Sequence, residues 1–490
     1  MDDIAAEHGR AAVRPEGSDI AEGEWSPPAA TTDMVSLFAQ YERDRYAMYG
    51  RHLSEQMVRM LKTIGYDVGF CRGEGPYLYD RRGARYLDLL SGFGVFALGR
   101  NHPTIRAALK SVIDGELPNL VQMDVSTLAG ILADRLVRQV PYLDKVFFAN
   151  SGAEAVEAAI KLARVATGRT GIVYCEHAFH GLTNGALSLN GEDVFRDGFE
   201  PLLPDCLSVP FNDLDALERA LHSRAAAAFI VEPIQGKGVN LPDADYLQCA
   251  ADLCRRYGTL LVADEVQTGL GRTGRFLAVE HWNVEPDMVL LAKALSGGHV
   301  PIGAVLTRRQ VFDKVFNRMD RAEVHGSTFA KNDLAMAAGI ATLDVLASEG
   351  LVDNAAKTGQ RLLQALQAMT EQYELLRDVR GLGLMIGVEF GAPKSFKLRA
   401  SWDLMETARK GLFCQLITIP LFNDHKILSQ VAGHASCTIK LLPSLTISDS
   451  DCDWIISAFD SVIAASHRVP GAVWTLGKSL ITNSFRAGAS

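Results

Sequence analysis

Six short apolar runs in the middle of the chain constrain its fold more than any other feature. They are residues 145–150 (KVFFAN), 171–175 (GIVYC), 228–232 (AFIVE), 259–264 (TLLVAD), 287–292 (DMVLLA) and 303–307 (GAVLT). Each is rich in β-branched or aromatic residues, and each is followed by a loop and a stretch with helical spacing. Strands alternating with helices predict an α/β fold: a mostly parallel sheet covered by helices on both faces. In such sheets the ligand lies beyond the carboxyl ends of the strands.

The flanks have a different rhythm. Residues 1–33 hold few large apolar groups and predict a disordered acidic tail. From residue 34 to about 62, Leu37, Tyr41, Tyr46, Tyr49, Leu53, Met57 and Met60 recur at helical spacing. Residues 73–88 (GEGPYLYDRRGARYLD) read as a hairpin about a polar turn. After about residue 370 a second hairpin (379–390), a strand (436–442) and a helix (451–467) predict a smaller α+β domain, ending in an amphipathic tail helix after residue 470. The expected organisation is therefore an N-terminal segment (34–100) contributing to the small domain, a large domain (101–370) and a C-terminal small domain (371–490).

Composition narrows the function classes. The 490-residue chain carries 49 Lys and Arg against 58 Asp and Glu, a net charge of -9, with no compact basic run. That excludes a protein whose affinity comes from phosphate backbones, so no nucleic-acid partner is expected. Eight acids against Arg10 and Arg14 in residues 1–33 account for -6 of the charge, so the body is nearly neutral. The eight cysteines are scattered with no C-x-x-C pair, which predicts reduced thiols and no metal site. No run approaches the roughly 20 apolar residues of a membrane span. The longest candidate, 411–422 (GLFCQLITIPLF), is broken by Gln415 and Pro420. Nor does the N-terminus carry a basic or apolar targeting signal, so a cytoplasmic protein is expected.

The strand ends carry the chemistry. Asn150-Ser151-Gly152-Ala153-Glu154 follows the first run and opens a helix, with Ser151 and Glu154 in capping-box spacing. The same geometry offers free backbone N–H groups to a phosphate, with Gly152 allowing close approach. Phe179-His180-Gly181 follows the second run and places an aromatic where it can stack on a planar ligand. Glu232 and Asp264 end buried strands, where a carboxylate needs a partner. Lys293 ends the DMVLLA strand. Gly269, Gly271 and Gly274 spell G-x-G-x-x-G, but the acidic DEVQT segment separates them from their strand, unlike a dinucleotide site. A phosphate cradle, a stacking aromatic, a buried Asp and a Lys together match one cofactor, pyridoxal 5′-phosphate. The Lys holds its aldehyde, the Asp keeps its pyridine nitrogen protonated, the helix N-terminus holds its phosphate and the aromatic covers its ring.

At these residues the chain resembles the class III aminotransferases, the fold type I enzymes that include the ornithine, acetylornithine and 4-aminobutyrate aminotransferases. The matching stretches are 86–103 (YLDLLSGFGVFALGRNHP), 150–164 (NSGAEAVEAAIKLAR), 179–181 (FHG), 231–236 (VEPIQG), 263–274 (ADEVQTGLGRTG), 290–298 (LLAKALSGG), 325–332 (HGSTFAKN) and 380–390 (RGLGLMIGVEF). The resemblance implies a fold type I transferase, with a large sheet domain and a smaller α+β domain. It implies that Lys293 holds the cofactor as a Schiff base and then moves the substrate proton, and that Asp264 pairs with the ring nitrogen. Gln267 would hydrogen-bond the ring oxygen, Val266 pack behind the ring and Phe179 stack in front. His180 and Glu232 would line the cofactor pocket. Ser151, Gly152 and Ala153 would hold the phosphate with Thr328 of a second subunit, which makes the enzyme a homodimer. Arg380 would bind a substrate carboxylate. The reaction implied is ping-pong transfer of an amino group from a small amino donor, expected to be glutamate, to a carbonyl acceptor.

Two positions depart from the family. Lys237 stands where the ornithine and 4-aminobutyrate types carry a Glu that pairs with the Arg at the place of Arg380. Phe93 stands where the ornithine type uses a Tyr. Both weaken ornithine as substrate and place Lys237 and Phe93 in the substrate pocket, with an acceptor on a bulky, apolar body such as a lipid or secondary-metabolite precursor. The competing readings are a decarboxylase, racemase or aminomutase on the same scaffold, a nicotinamide oxidoreductase using the 269–274 glycines, and a non-catalytic binding protein.

Overall fold

The computed structural model describes residues 33–408, 410–433 and 436–468. The acidic head, save Asp33, and the tail helix expected after residue 470 lie outside the described residues. The chain divides into two units, one through Val58 and one from Arg59. In the first unit the single helix expected from residue 34 is broken into Met34–Tyr41, a 3-10 turn Glu42–Asp44 and Arg45–His52. Asp33 caps the first piece by accepting from the amides of Val35 and Ser36. Ser54, whose hydroxyl accepts from the Met57 amide, starts a fresh helix at Glu55. A Ser competing for the backbone favours a new N-cap over continuation.

The second unit is built on a seven-stranded sheet: β1 (Lys145–Ala149), β2 (Gly171–Cys175), β3 (Cys206–Val209), β4 (Ala226–Val231), β5 (Leu260–Asp264), β6 (Met288–Leu291) and β7 (Gly303–Thr307). The strand order is β1-β7-β6-β5-β4-β2-β3. Strands β3, β2, β4, β5 and β6 run parallel, and β7 lies antiparallel between β6 and β1. Every residue of β4, β6 and β7 is buried, as a sheet covered on both faces requires. Helix α1 (Gly152–Thr167) crosses the sheet on a face of small residues, Ala155, Ala158, Ala159 and Ala163, all fully buried.

Two smaller sheets accompany it. Phe70–Glu74, Tyr77–Asp80 and Arg85–Asp88 form an antiparallel meander, and Ile427–Leu428 adds to it in parallel. The other sheet is antiparallel: Leu376–Leu382, Met385–Phe390, Thr438–Leu441 and Gln430–Val431, in that order. The apolar segment GLFCQLITIPLF becomes the buried helix Gln415–Asn423 with Pro420 inside it. No single helix among the described residues is long and apolar enough to cross a membrane.

The 269–274 glycines are packing residues. A Cβ on Gly274 would come within 2.8 Å of the Ala356 side chain, and one on Gly383 within 2.4 Å of the Thr273 backbone. The loop thus lies directly on the turn of the 376–390 hairpin. Arg272 is fully buried there and donates to the carbonyls of Leu384 and Pro443, which ties the central sheet's loop to the small sheet. These glycines serve close approach of backbones, not a dinucleotide.

Candidate active site

A cavity of about 410 Å³ opens beyond the carboxyl ends of the parallel strands. Ser151, Gly152, Ala153, Phe179, His180, Glu232, Asp264, Val266, Gln267 and Lys293 all line it. Residues separated by up to 142 positions in sequence meet there because their strands are neighbours in the sheet.

The cradle sits at the start of α1. Ser151 is the N-cap, and its hydroxyl accepts from the Glu154 amide at 3.1 Å. Glu154 reaches back one residue further than a capping box requires, to the Asn150 amide at 2.7 Å. The Gly152 and Ala153 amides lie in the first turn, where the helix itself supplies no acceptor. A Cβ on Gly152 would lie 3.0 Å from Val266 Cγ1, so only glycine leaves the cradle open beside that side chain.

Asp264 ends β5 almost wholly buried. One carboxylate oxygen meets His180 Nδ1 at 2.7 Å and the other accepts from the Val266 amide at 3.1 Å. Burial opposes charge on the His180 ring, but the Asp264 hydrogen bond and the charges of Asp264 and Glu232 outweigh it, so the imidazole pKa is raised. His180 Nε2 is buried without a partner among the described residues. Glu232 accepts from the amides of Phe179 at 3.1 Å and Gly236 at 3.0 Å, which fixes the Phe179 backbone. Burial raises the Glu232 pKa, and the neighbouring Asp264 adds to it against the pull of His180.

Lys293 follows β6 at a positive φ of 43°, a strained turn for a side chain with a Cβ. Its ammonium makes no hydrogen bond or ion pair among the described residues. Burial lowers its pKa, while Asp264 and Glu232 pull the other way.

Four expected site residues lie elsewhere. Thr328 is exposed and lines a separate surface groove of about 990 Å³ with Val125, Phe147 and Phe316. Arg380 does not line the cavity. Its guanidinium is held by Glu389, by Asp378 at 2.8 Å, and by the carbonyls of Val239 and Gly238. A guanidinium so engaged is already neutralised by Glu389 and Asp378, with one Nη2 hydrogen left over. Lys237 pairs with Glu192 at 2.8 Å, so the expected repulsion from Arg380 is relieved by separate partners for each. Phe93 sits in a run of positive φ from Ser91 to Gly94, which turns its ring outward, 55% exposed. Only its carbonyl reaches the site, accepting from Gln267 Nε2 at 3.1 Å.

Lys440 borders the site through Gln267, although no motif marked it. It is buried in the Thr438–Leu441 strand, donates to the Gly236 carbonyl at 2.6 Å and to Gln267 Oε1 at 3.2 Å, and so keeps one donor to spare. A lysine inside an apolar strand, IKLL, was the available signal, because buried lysines are rare without a task. Burial, with the nearby Lys293 charge, pulls its pKa down to about 7.

A helix N-terminal cradle, a buried Asp–His pair and an unpaired lysine at the ends of a parallel sheet define a pyridoxal-phosphate enzyme of fold type I. The class III aminotransferase model matches residues 65–463, and the chain belongs to that family. The chain is similar to the aminotransferase PigE of a Serratia strain, 36% identical over 480 residues, covering 91% of this chain and 56% of that one. It thus spans only about half the length of that relative. It is 39% identical to the putrescine aminotransferase of Pectobacterium atrosepticum over 89% of each chain. Among solved structures it resembles the ornithine aminotransferase of Toxoplasma gondii, seen with partial occupancy of pyridoxal phosphate, with a TM-score of 0.77 and 30% identity over 89% of this chain and 99% of that one. The protein is a pyridoxal-phosphate-dependent transaminase. The residues present fit the cofactor: the cradle that a Cβ on Gly152 would fill, the orphaned His180 nitrogen and the unpaired lysine are the polar features the group needs.

Proposed function

We propose that this transaminase takes its amino group from glutamate and passes it to an aldehyde on an apolar body. The observation that carries the site reading is Lys293, a buried ammonium without a partner, facing the Asp264–His180 pair across one cavity. Pyridoxal phosphate supplies an aldehyde that condenses with amines and a ring that takes up carbanion charge. The amides of Gly152 and Ala153, with the Ser151 hydroxyl, would hold its phosphate. Phe179 and Val266 would enclose the ring, with Gln267 at its edge. Asp264, hydrogen-bonded to His180, would hold the ring nitrogen protonated. Lys293, its pKa lowered by burial, would take and return the substrate proton.

With Arg380 engaged by Glu389 and Asp378, Lys440, a buried cation bonded to Gln267, would meet the donor's carboxylate. Its charge disappears as pH rises through about 7. The KM for glutamate is expected to climb about tenfold between pH 7 and 8.5, while that for propylamine, which has no carboxylate, does not follow. Lys440→Arg keeps the charge and is expected to flatten the glutamate profile. A glutamate KM that stays level to pH 8.5 in the unmodified protein counts against Lys440 as the anchor. If ornithine or 4-aminobutyrate proves the best donor in a panel, the apolar-acceptor reading fails. Stoichiometric 2-oxoglutarate from glutamate separates transfer from decarboxylation or racemisation.

Thr328 and the exposed Val125 line the groove, and the exposed Met123 and Phe329 adjoin its lining residues in sequence. An apolar surface of this kind marks an interface, and a second copy seated there would bring Thr328 to the other subunit's phosphate. Sedimentation is expected to give twice the 53.2 kDa chain mass, and Thr328→Ala to weaken cofactor retention without changing that mass. A monomer at micromolar concentration would rule this out. The eight cysteines are all free thiols, which favours a reducing compartment such as the cytoplasm.

A further inference from the structure

Glu265, next to Asp264, is a buried acid that the chemistry does not use. Successive side chains at a strand end point to opposite faces. Asp264 therefore lines the cavity, while Glu265, 1% exposed, turns into the body and does not line it. One Glu265 carboxyl oxygen accepts from the Val279 amide at 2.9 Å. The other accepts from the Thr268 hydroxyl, which is equally buried. The Glu265 backbone is tied as well. Its amide donates to the Leu290 carbonyl in β6 at 3.0 Å, and its carbonyl accepts from the Gly269 amide at 2.9 Å. A Cβ on Gly269 would lie 2.8 Å from that carbonyl, so the turn closes tightly on Glu265. Within residues 264–268, Asp264, Val266 and Gln267 reach the cavity.

We propose that Glu265 is a positioning residue: it locks the 264–268 turn so that Asp264, Val266 and Gln267 meet the cofactor ring in one arrangement. Two arguments carry it. First, the three contacts differ in kind, a charge, a packing surface and a hydrogen bond, yet all ride on one turn. A shift of that turn would misplace all three together, and such groups work only when bonded neighbours hold them to within about 0.5 Å. Second, the other side-chain bonds of the turn join it to the site itself: Asp264 to His180, and Gln267 to the Phe93 carbonyl and Lys440. The Glu265 carboxyl instead fastens it to the body, at the 3-10 turn Ala278–Trp282, and closes it on itself through Thr268. Burial lifts the Glu265 pKa to about 7, against the pull of the Thr268 hydroxyl and the amides of Val279 and Ala278. The bonds call for an acceptor facing the amide and a polar partner facing the hydroxyl, and a Gln side chain supplies both.

The inference rests on the reading of Asp264, Val266 and Gln267 as cofactor contacts. The test titrates the full chain with pyridoxal phosphate and reads two quantities, the affinity and the visible circular dichroism per bound cofactor, which follows the ring's orientation. Glu265→Ala is expected to weaken the affinity by about tenfold and to reduce the dichroism. Thr268→Val removes one bond, keeps the shape and serves even where Glu265→Ala does not fold. It is expected to move both readouts the same way, the affinity by about threefold. Glu265→Gln is expected to keep the affinity within about twofold and the dichroism unchanged. A residue serving the fold alone would lower the melting temperature and leave the dichroism per bound cofactor as it is. That result in Thr268→Val overturns the inference. So does a Glu265→Gln variant as impaired as Glu265→Ala, because the charge and not the bonds would then matter. Val266→Ala and Gln267→Ala are the references. If neither changes a readout, the ring contacts are misread and the inference falls with them. If they respond while Glu265→Ala and Thr268→Val do not, the inference alone falls.

Discussion

Lys293→Ala is expected to lower transamination by about 10⁴-fold or more while leaving the protein folded. The ammonium of Lys293 makes no hydrogen bond among the described residues, and burial already disfavours its charge. Removing it therefore breaks no network. It deletes an unpaired charge whose loss is offset only by its attraction to Asp264 and Glu232, so the melting temperature should move by no more than a few degrees. The chemistry has no substitute at this position. Lys440 is the other buried lysine nearby, and its two hydrogen bonds to Gly236 and Gln267 hold it away from that task. The variant should bind pyridoxal phosphate reversibly, so that dialysis removes it, whereas borohydride should fix it to the unmodified protein at Lys293. Added methylamine is expected to restore part of the proton-transfer rate, because the space left by three methylenes and the ammonium admits a small amine. A variant that keeps more than about a hundredth of the activity would remove Lys293 from the centre of the mechanism.

The parts of the site carried by strand ends were legible in the sequence, because a parallel sheet delivers every strand's carboxyl end to one edge. Runs 171–175 and 303–307 coincide with β2 and β7, and Ser151, Phe179, Glu232, Asp264 and Lys293 followed from position alone. Strand β3 escaped notice because Cys206–Val209 is short, lies at the sheet edge and exposes Leu207 and Ser208, so it has no apolar pattern. Strand β4 begins two residues earlier than its pattern, within a run of alanines that carries no strand propensity.

The partners of Lys237 and Arg380 were not legible in the sequence. Lys237 was expected to face Arg380 in the place of the family's pairing Glu, making that pair repulsive. Glu192, 45 residues before it, neutralises it, and Glu389 and Asp378 neutralise Arg380. No spacing rule connects Lys237 with Glu192, which meet only through the fold, whereas Asp378 and Glu389 lie on the same hairpin as Arg380. Phe93 failed for a local reason. Four consecutive positive φ values at Ser91–Gly94 invert the direction a side chain would take in an ordinary turn, and glycines at two of the four positions did not reveal that the other two share it.

Asp264→Asn carries the second large effect. The substitution keeps the shape, and the amide oxygen can still accept from Val266. It loses the charge that sits 2.7 Å from His180 Nδ1. Transamination is expected to fall about 10³-fold, the scale on which removing one preorganised electrostatic partner slows an enzyme, because nothing else beside the ring nitrogen would keep it protonated as charge develops. His180 reports the same loss independently. In the unmodified protein its folded pKa lies above the ordinary 6.5. The pair therefore contributes stability that is fully present below about pH 6.5 and is lost as pH rises through the folded value. In the Asn variant the acceptor is gone, burial dominates, and the imidazole pKa should drop below 6.5. The slope of stability against pH then reverses sign for this group: the buried neutral ring costs stability as pH falls toward 6. Nitrogen NMR of the His180 ring across a pH titration distinguishes the two, with a midpoint above 6.5 in the unmodified protein and below it in the variant. If the midpoint stays above 6.5 in the Asn variant, Glu232 holds the charge instead, and Asp264 has the ring nitrogen as its only task. If it drops while turnover is unchanged, Asp264 serves the fold alone and its place in the mechanism is lost.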